Sequence, residues 1–301
     1  MDRTIIDYIK QSKQRVISPI WGGEKVFDFL CMGYLAQAQA MGFELERISD
    51  QLEIVREGQL TNREELQEVK KRGIIDHKYF QWEYDYLAQM SSWSPAKFCG
   101  GGCFGPLTVA SCILGAENML RLIVKDPDMV EEFVSYITDI QIRHAKKEQE
   151  IGQDLFWIAE PVASLLAPKR FWKFDGQYLQ KIYAAIEAPG FLHVCGKTTK
   201  HTKLLEQTGA QVISIDSCTD IGQCLGEVGE DTIIMGNISP NTLRFGTKEE
   251  VEEEVKQVLE ICRGYRNFVM STGCMLMEGT PDENMQVMLE VTKKYDVDID
   301  V

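Results

Sequence analysis

The second half of the chain alternates short apolar segments with longer segments of helical periodicity, and this alternation limits the possible folds more than any other feature. The apolar segments predict five strands, at residues 155–160, 191–195, 211–216, 232–237 and 268–273. The segments after them predict helices at residues 168–187, 199–208, 221–228, 248–263 and 281–295. Strands and helices that alternate at this spacing form parallel sheets. We therefore predict an α/β fold.

About three further strand and helix units are predicted in the first half, which brings the total to eight. The segments are an amphipathic lead-in helix at 1–15, strands at 16–21 and 51–55, and helices at 24–41, 62–71, 79–90 and 126–152. Eight parallel strands with right-handed connections close a barrel. We predict one domain over residues 1–301, a (β/α)8 TIM barrel with an N-terminal helical lead-in.

The composition is that of a soluble globular protein, with 44% hydrophobic and 26% charged residues among 301. No apolar run approaches the roughly 18 residues that a membrane span needs, and the first residues lack the pattern of an export signal. Nine cysteines without the spacing of a disulfide framework predict free thiols in a reducing compartment, so we expect a cytoplasmic protein. A formal charge of −14 argues against a nucleic-acid interface.

His193 and Cys195 form a candidate pair of metal ligands. Side chains two apart on a strand share a face, and their Cα atoms lie roughly 6.5 Å apart, so an imidazole and a thiolate can reach one zinc ion. Cys274, which follows another apolar strand and a glycine, is the candidate third ligand. Three protein ligands leave one position open, as in catalytic zinc sites. The alternative is a buried cysteine that acts as a small hydrophobe beside a hydrogen-bonded histidine.

Polar or metal-binding side chains occur at the carboxyl end of all five strands in the second half. Besides the three candidate ligands, they are Glu160, Asp216 and Asn237. The carboxyl ends of barrel strands surround one mouth, where such enzymes carry their active sites. We predict that Glu160, Asp216 and Asn237 support a substrate or cofactor there, with structural hydrogen bonding as the alternative.

A glycine-rich segment at residues 99–106 is predicted to be a turn that enters a helix, with Pro106 at the first helical position. Backbone N–H groups at such a turn can hold a ligand, and Gly102 and Cys103 are the candidate contacts. The segment lacks the Lys-Ser/Thr ending of a nucleotide-binding loop. A close approach of backbone to backbone is the alternative explanation for the glycines.

Several of these motifs together resemble the uroporphyrinogen decarboxylase superfamily, over about residues 98–295. They are His-Val-Cys-Gly at 193–196, Met-Gly-Asn-Ile-Ser-Pro at 235–240, Ser-Thr-Gly-Cys at 271–274, Thr-Pro-Asp-Glu-Asn at 280–284, Phe-Gly-Pro-Leu-Thr at 104–108 and the helix that starts at 126–127. Within the superfamily they are similar to the methylcobalamin:coenzyme M methyltransferase branch. Decarboxylases are expected to have Gly-His-Gly where this chain has residues 272–274, and an arginine-rich stretch near the N-terminus; neither is present.

The resemblance implies that His193, Cys195 and Cys274 bind Zn²⁺. It also implies methyl transfer from methylcobalamin, or from a separate methylated corrinoid protein, to a thiol acceptor such as coenzyme M. Glu160 or Asp216 would occupy the fourth zinc position before substrate arrives, or accept the thiol proton. The alternatives are a tetrapyrrole decarboxylase and a non-catalytic barrel that binds a corrinoid or a metal.

Overall fold

The computed structural model describes residues 5–6, 27–49, 52–74 and 78–299. Its strands are β1 (Phe27–Phe29), β2 (Leu45–Ser49), β3 (Leu52–Val55), β4 (Phe98–Phe104), β5 (Leu155–Ala159), β6 (Gly190–Val194), β7 (Val212–Ile215), β8 (Ile233–Ile238) and β9 (Phe268–Thr272). Seven of them form one parallel sheet in the order β1-β4-β5-β6-β7-β8-β9. The other two, β2 and β3, pair as an antiparallel hairpin.

Helices follow most strands of the parallel sheet. They are α1 (Tyr34–Ala40), α2 (Arg63–Arg72), α3 (Lys78–Trp93), α4 (Pro106–Leu114), α5 (Ala116–Lys125), α6 (Pro127–Glu150), α7 (Pro168–Phe171), α8 (Gln177–Tyr183), α9 (Thr202–Gln207), α10 (Ile221–Glu227), α11 (Pro240–Phe245), α12 (Lys248–Ile261) and α13 (Asp282–Ile299). Short 3₁₀ turns at Pro161–Leu165 and Thr199–His201 precede α7 and α9, and a π-helical turn at Trp172–Gly176 joins α7 to α8.

Helix boundaries coincide with capping residues that the sequence supplies. Pro106 occupies the first turn of α4, where its missing N–H costs nothing. The Asp126 side chain accepts the Met129 N–H at the start of α6. Thr247 and Glu250 form a capping box at the start of α12.

No single helix in the described part of the chain is long and apolar enough to cross a membrane. Taken together, α4 and α5 would pass by length and composition, but they are bent by 103°.

Alternate residues of each strand face two separate cores. One face of the sheet packs against the helices and forms the large core, to which Phe156, Ile158, Leu192, Val194, Ile213 and Ile215 belong. The opposite face lines the inside of the curled sheet and contributes Leu155, Trp157, Phe191, Val212, Ile233, Met235 and Val269. This period of two, with both faces buried, is the pattern of a TIM-barrel-like sheet covered by helices.

The structure confirms the five predicted strand and helix units of the second half, with boundaries that move by a few residues. In the first half two predictions were wrong. The segment 24–41 is not one helix, because β1 precedes α1, and the predicted strand at 51–55 belongs to the hairpin rather than to the parallel sheet. Seven parallel strands are described; the predicted strand at 16–21 and most of the predicted lead-in helix at 1–15 lie outside the described residues.

The prediction of a turn at residues 99–106 was wrong for residues 99–104, which lie within β4, whereas the predicted helix start at Pro106 is confirmed. A Cβ atom on Gly102 would lie 1.9 Å from the Trp157 carbonyl oxygen, and one on Gly100 would lie 2.3 Å from the Leu155 side chain. The glycines therefore permit β4 to approach β5 closely. This was the alternative explanation, and it removes the exposed N–H groups on which a ligand contact at Gly102 and Cys103 depended.

Replacing Gly102 with alanine is expected to destabilise the protein by more than about 3 kcal/mol, since the new methyl group meets backbone that cannot move aside. Chemical denaturation measures the effect, with soluble yield as the readout if the variant does not fold. Gly33→Ala is the matched control, because a Cβ there has nothing within 4 Å. Equal stability of the two variants would contradict the packing argument.

Candidate metal centre

His193 lies on the inward face of β6 and is 9% exposed. Its Nδ1 atom lies 3.0 Å from the Ser214 hydroxyl, which is contributed by the paired residue of β7. Its ring stacks on Trp157 of β5, with ring centroids 6.4 Å apart. These two contacts fix the ring so that Nε2 faces the carboxyl end of the sheet, where Cys195 lies.

Cys195 follows the last residue of β6, at a turn made by Gly196. Gly196 has φ +79°, in the left-handed region that favours glycine. Its N–H donates to the Asp216 carboxylate at 2.8 Å. A backbone turned in this way lets the Cys195 side chain point back over His193.

Cys274 is two residues beyond β9, in a loop that packs tightly on its neighbours. The Gly273 N–H donates to the Ile238 carbonyl oxygen at 2.7 Å, and a Cβ on Gly273 would lie 2.4 Å from the Ser217 nitrogen. The Thr272 hydroxyl donates to the Cys274 carbonyl oxygen at 2.7 Å. The loop therefore needs glycine at 273 to bring Cys274 inward.

The three candidate ligands converge. His193 Nε2 lies 3.2 Å from Cys195 Sγ, Cys195 Sγ lies 3.7 Å from Cys274 Sγ, and all three ligand atoms lie within 4.8 Å of one another. Nitrogen and sulfur ligands of one tetrahedral zinc ion lie roughly 3.3–3.8 Å apart, given bonds of roughly 2.0–2.3 Å. The arrangement of these residues therefore fits a zinc ion with three protein ligands and one open position.

The two cysteines share one proton. Hydrogen bonding from the Cys195 thiol, and then from His193, lowers the pKa of Cys274 to about 4. The same interaction with Cys274, followed by burial, raises the pKa of Cys195. At neutral pH Cys274 is a thiolate, which is the form of cysteine that binds metal. Cys195 retains a proton that metal binding would displace.

The candidate ligands line a cavity of about 340 Å³ inside the curled sheet. Ser214, Ser271 and Thr272 are its other polar wall residues. The rest of the wall is apolar, with Phe29, Phe104, Trp157, Met235, Met275 and Leu276 as its large side chains. A cavity of this size with a mostly apolar wall and a few polar groups is typical of a small-molecule site.

Glu160 is fully buried and faces α4 rather than the cavity. Its carboxylate accepts the Leu107 N–H at 3.2 Å and the Thr108 hydroxyl. Burial raises the pKa of Glu160 to about 7, although these hydrogen bonds oppose the rise. Asp175 lies against it; burial, and then the charge of Glu160, raise the pKa of Asp175 well above its usual value. The two carboxyls thus form a buried pair beside the start of α4.

Asp216 and Asn237 hold the loops around Cys195. Burial raises the pKa of Asp216, but the N–H groups of Gly196 and Cys218 outweigh that effect and lower it overall. The Asn237 side-chain amide donates to the carbonyl oxygens of Asp216 at 3.1 Å and Thr219 at 2.9 Å. Neither residue lines the cavity with the candidate ligands.

Gly102 and Cys103 also lie away from the cavity. Both are within β4, and Cys103 is fully buried in the core between the sheet and the helices. Burial raises the pKa of Cys103, as expected for an inert thiol.

Sequence reasoning missed Ser214 and the aromatic wall of the cavity. Ser214 is the one polar residue within the apolar strand β7, and it shares the inward face of the sheet. That signal was present in the sequence. Phe29 had no comparable sequence signal, because its strand has only three residues.

Comparison with known proteins gives one family and two kinds of relative. The uroporphyrinogen decarboxylase (URO-D) family model matches residues 23–295. The methylcobamide:CoM methyltransferase MtbA of Methanosarcina mazei is 33% identical over 201 residues, which are 65% of this chain and 58% of that protein. The methylcobamide:CoM methyltransferase MtaA of Methanosarcina barkeri is 30% identical over 199 residues, which are 65% of this chain and 58% of that protein. A uroporphyrinogen decarboxylase of Prochlorococcus marinus is 27% identical over 63% of this chain and 57% of that protein. The chain thus spans about 58% of the length of the curated methyltransferases it matches.

Solved structures show the same fold. A methyltransferase from Methanosarcina mazei superposes with a TM-score of 0.71 at 24% identity, over 86% of this chain and 77% of that one. A B12-independent methionine synthase from Shewanella sp. W3-18-1 superposes with a TM-score of 0.50 at 15% identity, over 72% and 66%. At these identities the likeness concerns the fold alone.

Replacing Ser214 with alanine is expected to lower the zinc affinity about 10- to 100-fold, because the His193 ring loses the partner that orients it. Competition with a chromophoric chelator measures the affinity. Ser271→Ala is the control, since Ser271 lines the same cavity and is equally buried. The orienting role of Ser214 is wrong if both variants retain the affinity of the unaltered protein.

Replacing Asp175 with asparagine is expected to reduce the loss of stability as pH rises from 5 to 8. Because the pKa of Glu160 is raised to about 7, the stability it contributes is complete below its unfolded pKa near 4 and is lost as pH rises through about 7. The pKa of Asp175 is raised as well, so Asp175 adds a loss of stability in the same direction as pH rises. Between pH 5 and pH 8 the unfolding free energy of the unaltered protein should fall more than that of the variant, by about 1–3 kcal/mol.

Urea denaturation at the two pH values measures this difference. Asp139→Asn, an exposed change on α6, is the control and should leave the pH dependence unaltered. Parallel pH profiles for the Asp175→Asn variant and the unaltered protein would contradict the buried pair.

Proposed function

The chain belongs to the uroporphyrinogen decarboxylase (URO-D) family, and within that family we propose that it is a zinc-dependent corrinoid methyltransferase. It moves a methyl group from a methylated corrinoid protein, or from methylcobalamin, to a thiol acceptor such as coenzyme M. The observation that carries this proposal is the convergence of His193, Cys195 and Cys274 on one point at the cavity wall. The names of the relatives MtbA and MtaA agree with it.

Zinc, when bound by these three residues, would lower the pKa of an added thiol so that it ionises at neutral pH. The chain's own residues prepare the position. Ser214 orients His193, and the lowered pKa of Cys274 supplies one thiolate in advance. Two cysteine ligands keep the site rich in electrons, which favours a nucleophilic acceptor sulfur.

In the reaction, the acceptor sulfur forms a bond to the methyl carbon as the cobalt–carbon bond breaks, and the bonding electron pair remains on cobalt. Before this step the acceptor thiol releases its proton to solvent, so that the acceptor sulfur attacks as a thiolate. Apolar walls such as Trp157 and Met235 exclude water, which would otherwise solvate and weaken the attacking thiolate.

The corrinoid is proposed to arrive on a partner protein. A cavity of about 340 Å³ is at the small end of ligand sites, which hold roughly 300–1,000 Å³, so it suits the thiol rather than the corrin ring. Met275, next to Cys274, lines the cavity and is 82% exposed, and gives the mouth an apolar surface for docking. In this proposal Glu160, Asp216 and Asn237 support the loops and α4 instead of binding substrate.

The main alternative is tetrapyrrole decarboxylation, which the decarboxylase relatives suggest. A porphyrinogen substrate carries several carboxylates and needs cationic partners. No lysine or arginine of the described residues lines the cavity, which favours the methyltransferase. A non-catalytic barrel that binds a corrinoid or a metal is a further alternative, and the absence of turnover would favour it.

Replacing Cys195 with alanine is expected to remove one zinc ion per chain and to lower the thiol-dependent demethylation of methylcobalamin more than about 100-fold. The loss follows because a site with two remaining ligands no longer holds the ion. Metal analysis measures zinc, and the visible spectrum of the corrinoid, recorded with a panel of thiols, measures activity and acceptor preference together.

Cys112→Ser, a change in α4 away from the cavity, is the control and should retain zinc and activity. Porphyrinogen turnover by the unaltered protein would support the decarboxylase instead. The methyltransferase proposal fails if the Cys195→Ala protein retains both its full zinc content and its rate.

A further inference from the structure

A second group of potential metal ligands lies outside the cavity, between α3, α6 and β4. It consists of Glu83 of α3 with His144 and Glu148 of α6, whose ligand atoms all lie within 4.8 Å of one another. The three side chains are 1–2% exposed. We propose that this cluster is a second metal site, which holds a divalent transition-metal ion by one imidazole nitrogen and carboxylate oxygens.

The ligand atoms are close enough together to share one ion, which would lie between them. His144 Nε2 lies 2.8 Å from one Glu148 oxygen and 3.6 Å from one Glu83 oxygen. Neighbouring ligands of an ion with bonds of roughly 2.1 Å are roughly 3.0–3.4 Å apart. The first contact is a short buried ion pair between the His144 ring and the Glu148 carboxylate, and the second is too long for a hydrogen bond.

The carboxylates are similarly unsatisfied. Both oxygens of Glu83 and both oxygens of Glu148 are buried without a hydrogen-bond partner in the described part of the chain. His144 is the one basic side chain, among those described, that contacts either carboxylate. If both carboxylates are ionised, one imidazolium balances only one of them, and an unpaired buried charge costs several kcal/mol. A divalent cation would supply the missing charge and the missing partners.

The surrounding residues hold the ligands in place. The Tyr84 hydroxyl lies 3.1 Å from His144 Nδ1, so the other ring nitrogen is left to face the carboxylates. A Cβ on Gly101 would lie 2.1 Å from a Glu148 oxygen, so a side chain there would displace the carboxylate. An orienting partner on the second ring nitrogen is typical of metal-binding histidines.

A cavity adjoins the cluster. Glu83 is at the edge of a cavity of about 390 Å³, whose wall also includes Cys31 and Trp82. Cys31 in addition lines the cavity of the candidate zinc centre. The two cavities share Cys31 as a wall residue, whereas the two groups of candidate ligands have no residue in common.

The donor atoms distinguish the two sites chemically. Thiolates select zinc, whereas a set of carboxylate oxygens with one imidazole also suits Mn²⁺ and Fe²⁺. The competing explanation is a proton shared within the cluster, since burial raises the pKa of Glu83 to about 8. Removing Cys195 and Cys274 would abolish metal binding at the candidate zinc centre, whereas metal binding at this cluster would persist.

Titration of full-length Cys195→Ser/Cys274→Ser protein with Mn²⁺, followed by electron paramagnetic resonance, tests the site. We expect about one Mn²⁺ per chain and a higher melting temperature with Mn²⁺ than without it. Adding Glu148→Gln to that protein should weaken Mn²⁺ binding at least tenfold, because glutamine keeps the shape and removes the charge.

Glu150→Gln, an exposed change in the same helix, is the matched control and should leave binding unaltered. If the double cysteine variant, shown to be folded by circular dichroism, binds neither Mn²⁺ nor Zn²⁺, the cluster holds protons only and the proposal is overturned. Binding that is the same with and without Glu148→Gln would also overturn it. These readouts do not use methyl transfer, so they stand whether or not the proposed activity does.

Discussion

Curvature of the parallel sheet is the constraint on which the candidate zinc centre depends. Strands β6 and β9 are three positions apart in the sheet order. In a flat sheet their ends would be roughly 14 Å apart, since neighbouring strands are spaced by roughly 4.8 Å. The sulfur atoms of Cys195 and Cys274 are nevertheless 3.7 Å apart. The sheet must therefore curl, and the Cys274 loop must turn inward, before three ligands can meet.

The polar residues at the strand ends divide into two groups with different physical tasks. His193, Cys195 and Cys274 face the cavity, whereas Asp216 and Asn237 bind backbone groups of the loops that carry or adjoin them. A loop that carries a ligand has backbone N–H and C=O groups that need partners once they are buried. The supporting residues provide these partners and so hold the candidate ligands in place.

Buried carboxyl groups are a second feature of the structure. The pair Glu160 and Asp175 and the cluster around His144 both lie between the sheet and its helices, and burial raises the pKa of Glu160, Asp175 and Glu83. The two groups satisfy their charges differently. Glu160 receives hydrogen bonds from α4, while the oxygens of Glu83 and Glu148 receive none among the described residues. Both oxygens of Asp175 also have no hydrogen-bond partner in the described part of the chain, but the Glu160 pair is not joined by a third potential ligand, whereas Glu83, His144 and Glu148 bring three within 4.8 Å, so a cation is proposed at the cluster around His144.

The sequence alone determined the alternation of strands and helices from residue 155 onward, and with it the parallel sheet, because burial on both faces and helical spacing are local patterns. It also identified His193, Cys195 and Cys274 by residue type and position. It misread β4 as a turn, because a glycine-rich strand has no local signal that distinguishes close packing from a flexible loop. Only the tertiary structure decided that Glu160 faces α4, that Ser214 orients His193, and that Glu83 meets His144 and Glu148, since each of these contacts joins elements far apart in the chain.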